Sequence, residues 1–132
     1  MSNREIKFRA WDTRNHEMVC SDHFDGECFY INTKGVLFMY AIPQSQAGLK
    51  RKYHKDYDNV MQYTGLQDKN GVDIYEGDIV QIYNNKPVDR IMFTDGMFGI
   101  CSWGDSYVPL KRFHEELHVV GNIYENPELL EA

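Results

Sequence analysis

Residues Met61–Val80 read MQYTGLQDKNGVDIYEGDIV, and two turn signals cut this stretch into three short runs of β-forming residues. Met61, Tyr63 and Leu66 mark the first run. Asp68-Lys69-Asn70-Gly71 follows as a hairpin loop, because Asn and Gly accept the positive φ that tight loops require. Ile74-Tyr75 resumes the extended pattern, and Glu76-Gly77-Asp78 turns the chain again. Ile79, Val80, Gln81, Ile82 and Tyr83 run on as a third strand, rich in β-branched and aromatic side chains. The stretch specifies a hairpin leading into a further strand and carries no reaction.

Upstream, Glu5 to Trp11 (EIKFRAW) places Ile6, Phe8 and Ala10 on one side and Lys7 and Arg9 on the other. Such period-two alternation predicts a half-buried strand. Asp12 to Asn15 reads as a turn, Glu17 to Asp22 as a second strand and Cys28 to Ile31 as a third. The apolar run Val36 to Ile42, stopped by Pro43, predicts a buried strand. Pro43 to Asn59 is poor in apolar residues and rich in charge, so it reads as a surface loop with one helical turn between two β-rich halves.

Downstream, Val88 to Thr94, Met97 to Trp103 and Tyr107 to Leu110 are strands punctuated by Asp95-Gly96 and Gly104-Asp105. Pro109 to Glu116 predicts one short helix, Leu117 to Tyr124 a last strand, and Pro127 starts a helical turn in the tail. About five strands after residue 77, joined by tight turns, suggest a closed SH3-like barrel, since closure removes exposed edges. The expected fold is mainly β. It has an N-terminal antiparallel β subdomain over residues 1-59, including the charged loop 43-59, then the central hairpin and an SH3-like barrel with a short helical turn over 60-132.

Bulk properties narrow the function. The chain has 132 residues, 42% of them hydrophobic and 14% aromatic, enough to bury a core. Against 14 Lys and Arg stand 20 Asp and Glu, a formal charge of −6, so a phosphate-condensing basic surface is not the default. No apolar run approaches the roughly 18 to 20 residues of a membrane span, and MSNREIKFRAWD lacks the apolar core of a signal peptide. The expected location is the cytoplasm, with no membrane partner. Cys20, Cys28 and Cys101 are an odd number and read as free, mostly buried thiols.

REIKFRAWD, MQYTGLQDKNGVDIYEGDIV and VVGNIYENPELL, at the start, middle and end of the chain, resemble the signature blocks of the YopX family, encoded by bacteriophages and prophages. The resemblance spans essentially the whole chain. It implies a phage or prophage origin, a mainly β fold with an SH3-like part, a bacterial host cytoplasm and self-association. It transfers no catalytic residue.

Several motifs invite chemistry. His114-Glu115-Glu116-Leu117-His118 fits H-E-x-x-H, in which two histidines one helical turn apart bind zinc and the glutamate activates water. Val119, Val120, Ile123 and Tyr124 instead favour a strand directly afterwards, and the third ligand of the longer pattern falls on Tyr124. A zinc hydrolase is therefore the distant alternative. His16, Cys20, His23 and Cys28 are spaced too irregularly for a zinc knuckle and are interleaved with aromatics. Asp68 to Asp73 fails the calcium-loop pattern, since Gly71 is fourth and Ile79 twelfth. Asp73, Glu76 and Asp78 read as solvated turn formers before they read as an acid-base group.

Two binding features are left. Lys50, Arg51, Lys52, Tyr53 and Lys55, with His54 among them, form a basic run with an interleaved aromatic, suited to phosphates and a stacked base. Tyr83, Phe93, Phe98, Trp103, Tyr107 and Phe113 exceed what so small a barrel fully encloses; most are expected in the core, and some, Trp103 and Tyr107 foremost, are expected to line a groove or subunit contact. The sequence thus points to a non-enzymatic binding protein without catalytic residues, metal or cofactor. Its expected partners are a second copy and a host or phage protein, with nucleic acid through Lys50 to Lys55 as the alternative.

Overall fold

The computed structural model describes residues 5–20, 28–41, 53–82, 88–102 and 106–131. Among these the chain is mainly β, with no α-helix and with its only helical segments short 3-10 turns. No helix among the described residues is long and apolar enough to cross a membrane. The chain divides into two compact units, residues 7–61 and residues 62–132 together with 1–6.

In the unit of residues 7–61, β1 (Phe8–Asp12) pairs antiparallel with β2 (Glu17–Cys20), with Ala10 opposite Val19. A second sheet is the meander β3 (Cys28–Ile31), β4 (Leu37–Ala41) and β5 (Tyr53–Tyr57). Its β5 corrects the loop expected over Pro43 to Asn59: Tyr53–Tyr57 is an antiparallel strand along β4, with Tyr57 opposite Leu37. Ala10, Val19, Leu37 and Tyr57 form the buried cluster, flanked by Ile31 and Val60. Ile6 is exposed and precedes β1, so the buried face of that strand comprises Ala10 and Asp12.

Asp12 is buried because its own turn satisfies it. Its carboxylate accepts the Arg14 N–H at 2.9 Å, the Asn15 side-chain amide at 2.9 Å and Arg14 Nε at 3.3 Å. Burial pushes this carboxyl up, but the bonds from Asn15 and Arg14 outweigh it and hold it below the usual carboxylate value. The Arg14 guanidinium lies over the Tyr57 ring, 5.7 Å from its centre.

β6 (Asn59–Gln67) passes from one unit to the other between Met61 and Gln62. Beyond that point it pairs with β7 (Asp73–Tyr75), with Tyr63 opposite Tyr75 and their rings 5.5 Å apart. β8 (Asp78–Gln81) lies between β13 (His118–Asn122) and β9 (Val88–Arg90), and β11 (Met97–Ser102) between β10 (Met92–Thr94) and β12 (Ser106–Pro109). Ile91 joins the two triplets. Its N–H donates to the Asp78 carbonyl at 2.8 Å, and its carbonyl accepts the Gly77 N–H at 2.9 Å.

Ile74, Val80, Ile91, Ile100, Leu110 and Leu117 form the core of this unit, each contributing about 1.5–3 kcal/mol by leaving water. Between β12 and β13 the expected short helix is two 3-10 turns, Leu110–Arg112 and His114–Glu116, and a third spans Pro127–Leu130.

Candidate functional site

The turn after β6 is held from within. Asp68 is almost fully buried, and one carboxylate oxygen accepts the N–H groups of Asn70 at 2.8 Å and Val72 at 3.0 Å. The other oxygen accepts the Val119 N–H at 2.9 Å, and Lys69 N–H donates to the Leu117 carbonyl at 2.9 Å. Burial raises the Asp68 carboxyl, but the backbone N–H groups of Val119, Val72 and Asn70, with the charge of His118, outweigh it and keep it below the usual value. The calcium-like loop is thus a clamp on β13, its carboxylate saturated by backbone.

The H-E-x-x-H motif does not form its helix. His114 and Glu115 sit in a 3-10 turn that ends at Glu116, and His118 already belongs to β13. His114 Nδ1 lies 2.6 Å from the Gln67 carbonyl oxygen, facing the β6 end. The acidic trio is also dispersed into separate bonds: Asp78 accepts the Tyr75 N–H at 2.8 Å, and Asp73 accepts the Gln67 amide at 3.0 Å. Among the described residues no three His, Cys, Asp or Glu side chains converge on one point. Of the His/Cys cluster, His16 is an exposed turn residue whose ring meets Trp11 at 6.5 Å, Cys20 is half-buried in β2, and His23 lies outside the described residues. Cys101 is exposed, against the expectation of mostly buried thiols.

Of the basic run, Lys50, Arg51 and Lys52 lie outside the described residues, and Tyr53 and Lys55 fall on β5, opposite Ala41 and Met39. Trp103 and Tyr83 also lie outside them. Tyr107 is half-buried and ties the β10–β11 hairpin together. Its hydroxyl reaches the carbonyls of Met97 at 2.6 Å and Met92 at 2.9 Å, sharing one proton between two acceptors. Burial pushes this phenol up, the Thr94 backbone opposes that and the Asp95 charge adds to it, so the group stays a donor. Its ring crosses Gly99, where a Cβ would come within 2.9 Å of Tyr107 Cζ and collide with the Val108 carbonyl.

The hairpin so held borders an open, largely apolar groove of about 660 Å³. β6 contributes Tyr63 and Leu66, the β10–β11 hairpin contributes Phe93, Met97 and Phe98, and the start of the first 3-10 turn contributes Pro109, Leu110 and Lys111. Phe93 is 53% exposed and Met97 38%, while Phe98 packs on the core and meets Phe93 edge to face at 5.0 Å. Gln62, Thr64 and Gly96 complete the wall, so among the described lining residues Lys111 is the sole charge. Phe93 and Phe98 stand in the aromatic set legible from sequence. Tyr63, Leu66, Met97, Pro109 and Lys111 do not. The available signal was the Asp95-Gly96 turn, which sets Phe93 opposite Phe98.

The YopX protein family model matches residues 7–131. The chain is similar to the crystal structure of protein EF1440 from Enterococcus faecalis, with 27% identity over 97% of this chain and 99% of that one and a TM-score of 0.63. It is also similar in fold to protein yopX from Bacillus subtilis, with 22% identity, 96% of each chain covered and a TM-score of 0.63. A search of the curated proteins gives no match.

Proposed function

The chain belongs to the YopX family, and on that premise we propose that it acts by binding, as a non-enzymatic phage or prophage accessory protein that engages a protein partner and associates with itself. The observation that carries this reading is the apolar groove, with Phe93 and Met97 held out of the core beside it. Exposed aromatic and Met side chains at a concave surface are the common anchors of protein contacts. The strand orders β13-β8-β9 and β10-β11-β12, with 3-10 turns between β12 and β13, support an SH3-like barrel as its frame.

The test compares the full chain with Phe93→Asp and Met97→Asp as baits in lysate of the bacterial host, with and without nuclease treatment, read by mass spectrometry. A protein retained at near-equal stoichiometry by the parent and lost by both variants is expected. Retention indifferent to both substitutions would overturn the groove. Retention abolished by nuclease would transfer the function to Lys50 to Lys55 and nucleic acid. Sedimentation of the parent chain, expected above the mass of a monomer, tests self-association separately.

A further inference from the structure

Two properties of the groove specify what would fill it. Asp95 (φ 55) and Gly96 (φ 79) form a two-residue turn of the I′ kind, which makes Thr94 and Met97 the hydrogen-bonded pair that closes the hairpin. The next pair, Phe93 and Phe98, is then the non-hydrogen-bonded kind, in which both backbone groups of each residue point away from the partner strand. Among the described residues β10 has β11 as its sole strand neighbour. The N–H and C=O of Phe93 therefore face outward along an edge that is free among the described residues, at the residue whose side chain stands in the groove. A free edge beside an apolar trough accepts an extended strand, with backbone bonds giving affinity and alternate side chains filling the trough.

The second property is charge. Lys111 belongs to the groove wall, and Arg112 follows it in the same 3-10 turn. The chain as a whole carries −6. At physiological salt charges are screened beyond about 8 Å, so Lys111 governs the groove locally, while a strongly acidic partner is repelled by the rest of the surface. One carboxylate, and not a run of them, fits both conditions.

Resting on the binding function proposed above, we propose that the groove takes an extended segment of a partner protein that adds as a strand to the edge of β10. The segment places apolar side chains at alternate positions against Phe93, Phe98 and Tyr63, and one Asp or Glu against Lys111. The segment is recognised by period two, so neither a helix nor a nucleic acid strand satisfies the site.

The experiment is a selection of random twelve-residue displayed peptides on the immobilised full chain, followed by anisotropy of the enriched peptides with fluorescein labels. The expected winners alternate apolar residues and carry one acid. Their binding falls at least tenfold with Phe93→Asp, and at least tenfold when one backbone amide in the apolar core is N-methylated. Lys111→Glu lowers affinity about tenfold for the acidic peptide, and replacing the peptide's acid with Lys restores it. Phe93 and Lys111 are exposed, and an unchanged circular dichroism spectrum confirms that the variants fold. Winners with helical spacing, or insensitive to N-methylation and to Lys111→Glu yet still lost with Phe93→Asp, would overturn the strand and its acid while leaving the groove as a protein site. Winners indifferent to Phe93→Asp, or no enrichment, would overturn both.

Discussion

The C-terminal unit contains two hairpin loops written in nearly the same letters, and they do opposite things. Asp68-Lys69-Asn70-Gly71 is turned inward: its carboxylate is consumed by three backbone N–H groups, one of them from β13, 51 positions away. Asp95-Gly96 is turned outward: its tip is exposed, and its strands present Phe93 and Met97 to solvent. The same turn chemistry thus serves closure in one place and display in the other. What separates them is the third element. The first loop meets a strand whose backbone needs acceptors, whereas the second is gripped from one side by a single phenol.

That contrast is breakable. Asp68→Ala is expected to have the largest effect, since it strips buried backbone N–H groups of a charged acceptor. A loss of about 3–4 kcal/mol in urea unfolding follows from bonds to charged groups worth about 1.5–3 kcal/mol each and partly non-additive. A loss under about 1 kcal/mol would mean that the loop is no clamp. The same residue carries a pH signature. Asp68 and Asp12 are both held below the ordinary carboxylate value. Their contribution is therefore complete above about pH 4, where the unfolded chain is ionised, and disappears as pH falls through the lower folded values. Asp68→Asn should flatten the fall in melting temperature below about pH 4, and an unchanged slope would remove Asp68 from the acid response.

Gly99→Ala comes next. The Val108 carbonyl that its Cβ would meet is backbone and cannot rotate away, so about 2–3 kcal/mol is expected to be lost, in the range of overpacking. Tyr107→Phe removes the phenol from the Met92 and Met97 carbonyls. About 1 kcal/mol should go with it, and hydrogen exchange should quicken between Met92 and Met97 while Asn70 and Val72 are unaffected. Equal quickening at both loops would erase the distinction between them. Phe93→Ser should change stability least, within about 0.5 kcal/mol, while removing the bound partner. A large stability loss there would mean that Phe93 belongs to the core and not to a display.

Much of this architecture could be read from the chain. Asp and Gly punctuation marked both loops, and the alternation around Phe8 and Ala10 marked β1. Tyr53–Tyr57 escaped because YHKDY carries its polar residues into a strand. In the order β3-β4-β5 that strand is an edge, where charge is tolerated and blunts pairing with other chains. Ile6 looked like the start of the buried face but stands before the strand begins. The H-E-x-x-H pattern could be discounted from sequence, because five letters at helical spacing do not make a helix when β-branched residues follow at once, and the 3-10 turn indeed ends before His118 enters β13. The groove was legible only in part. Its walls come from residues 62–66, 93–98 and 109–111, and the separation of those segments along the chain hides their meeting.

The bond from Val119 to Asp68 also imposes an order of events. The β6–β7 hairpin can form from neighbouring residues, but its buried carboxylate must wait for Val119, 51 positions on, and the side of β8 away from β9 must wait for the same late strand. Until then, a newly made chain presents an ionised Asp68 and one unpaired side of β8 to its surroundings. Loop closure over that distance is slow compared with hairpin formation. The interval between synthesis of β8 and arrival of β13 is when the growing polypeptide is most open to mispairing, and the last strand is what ends it.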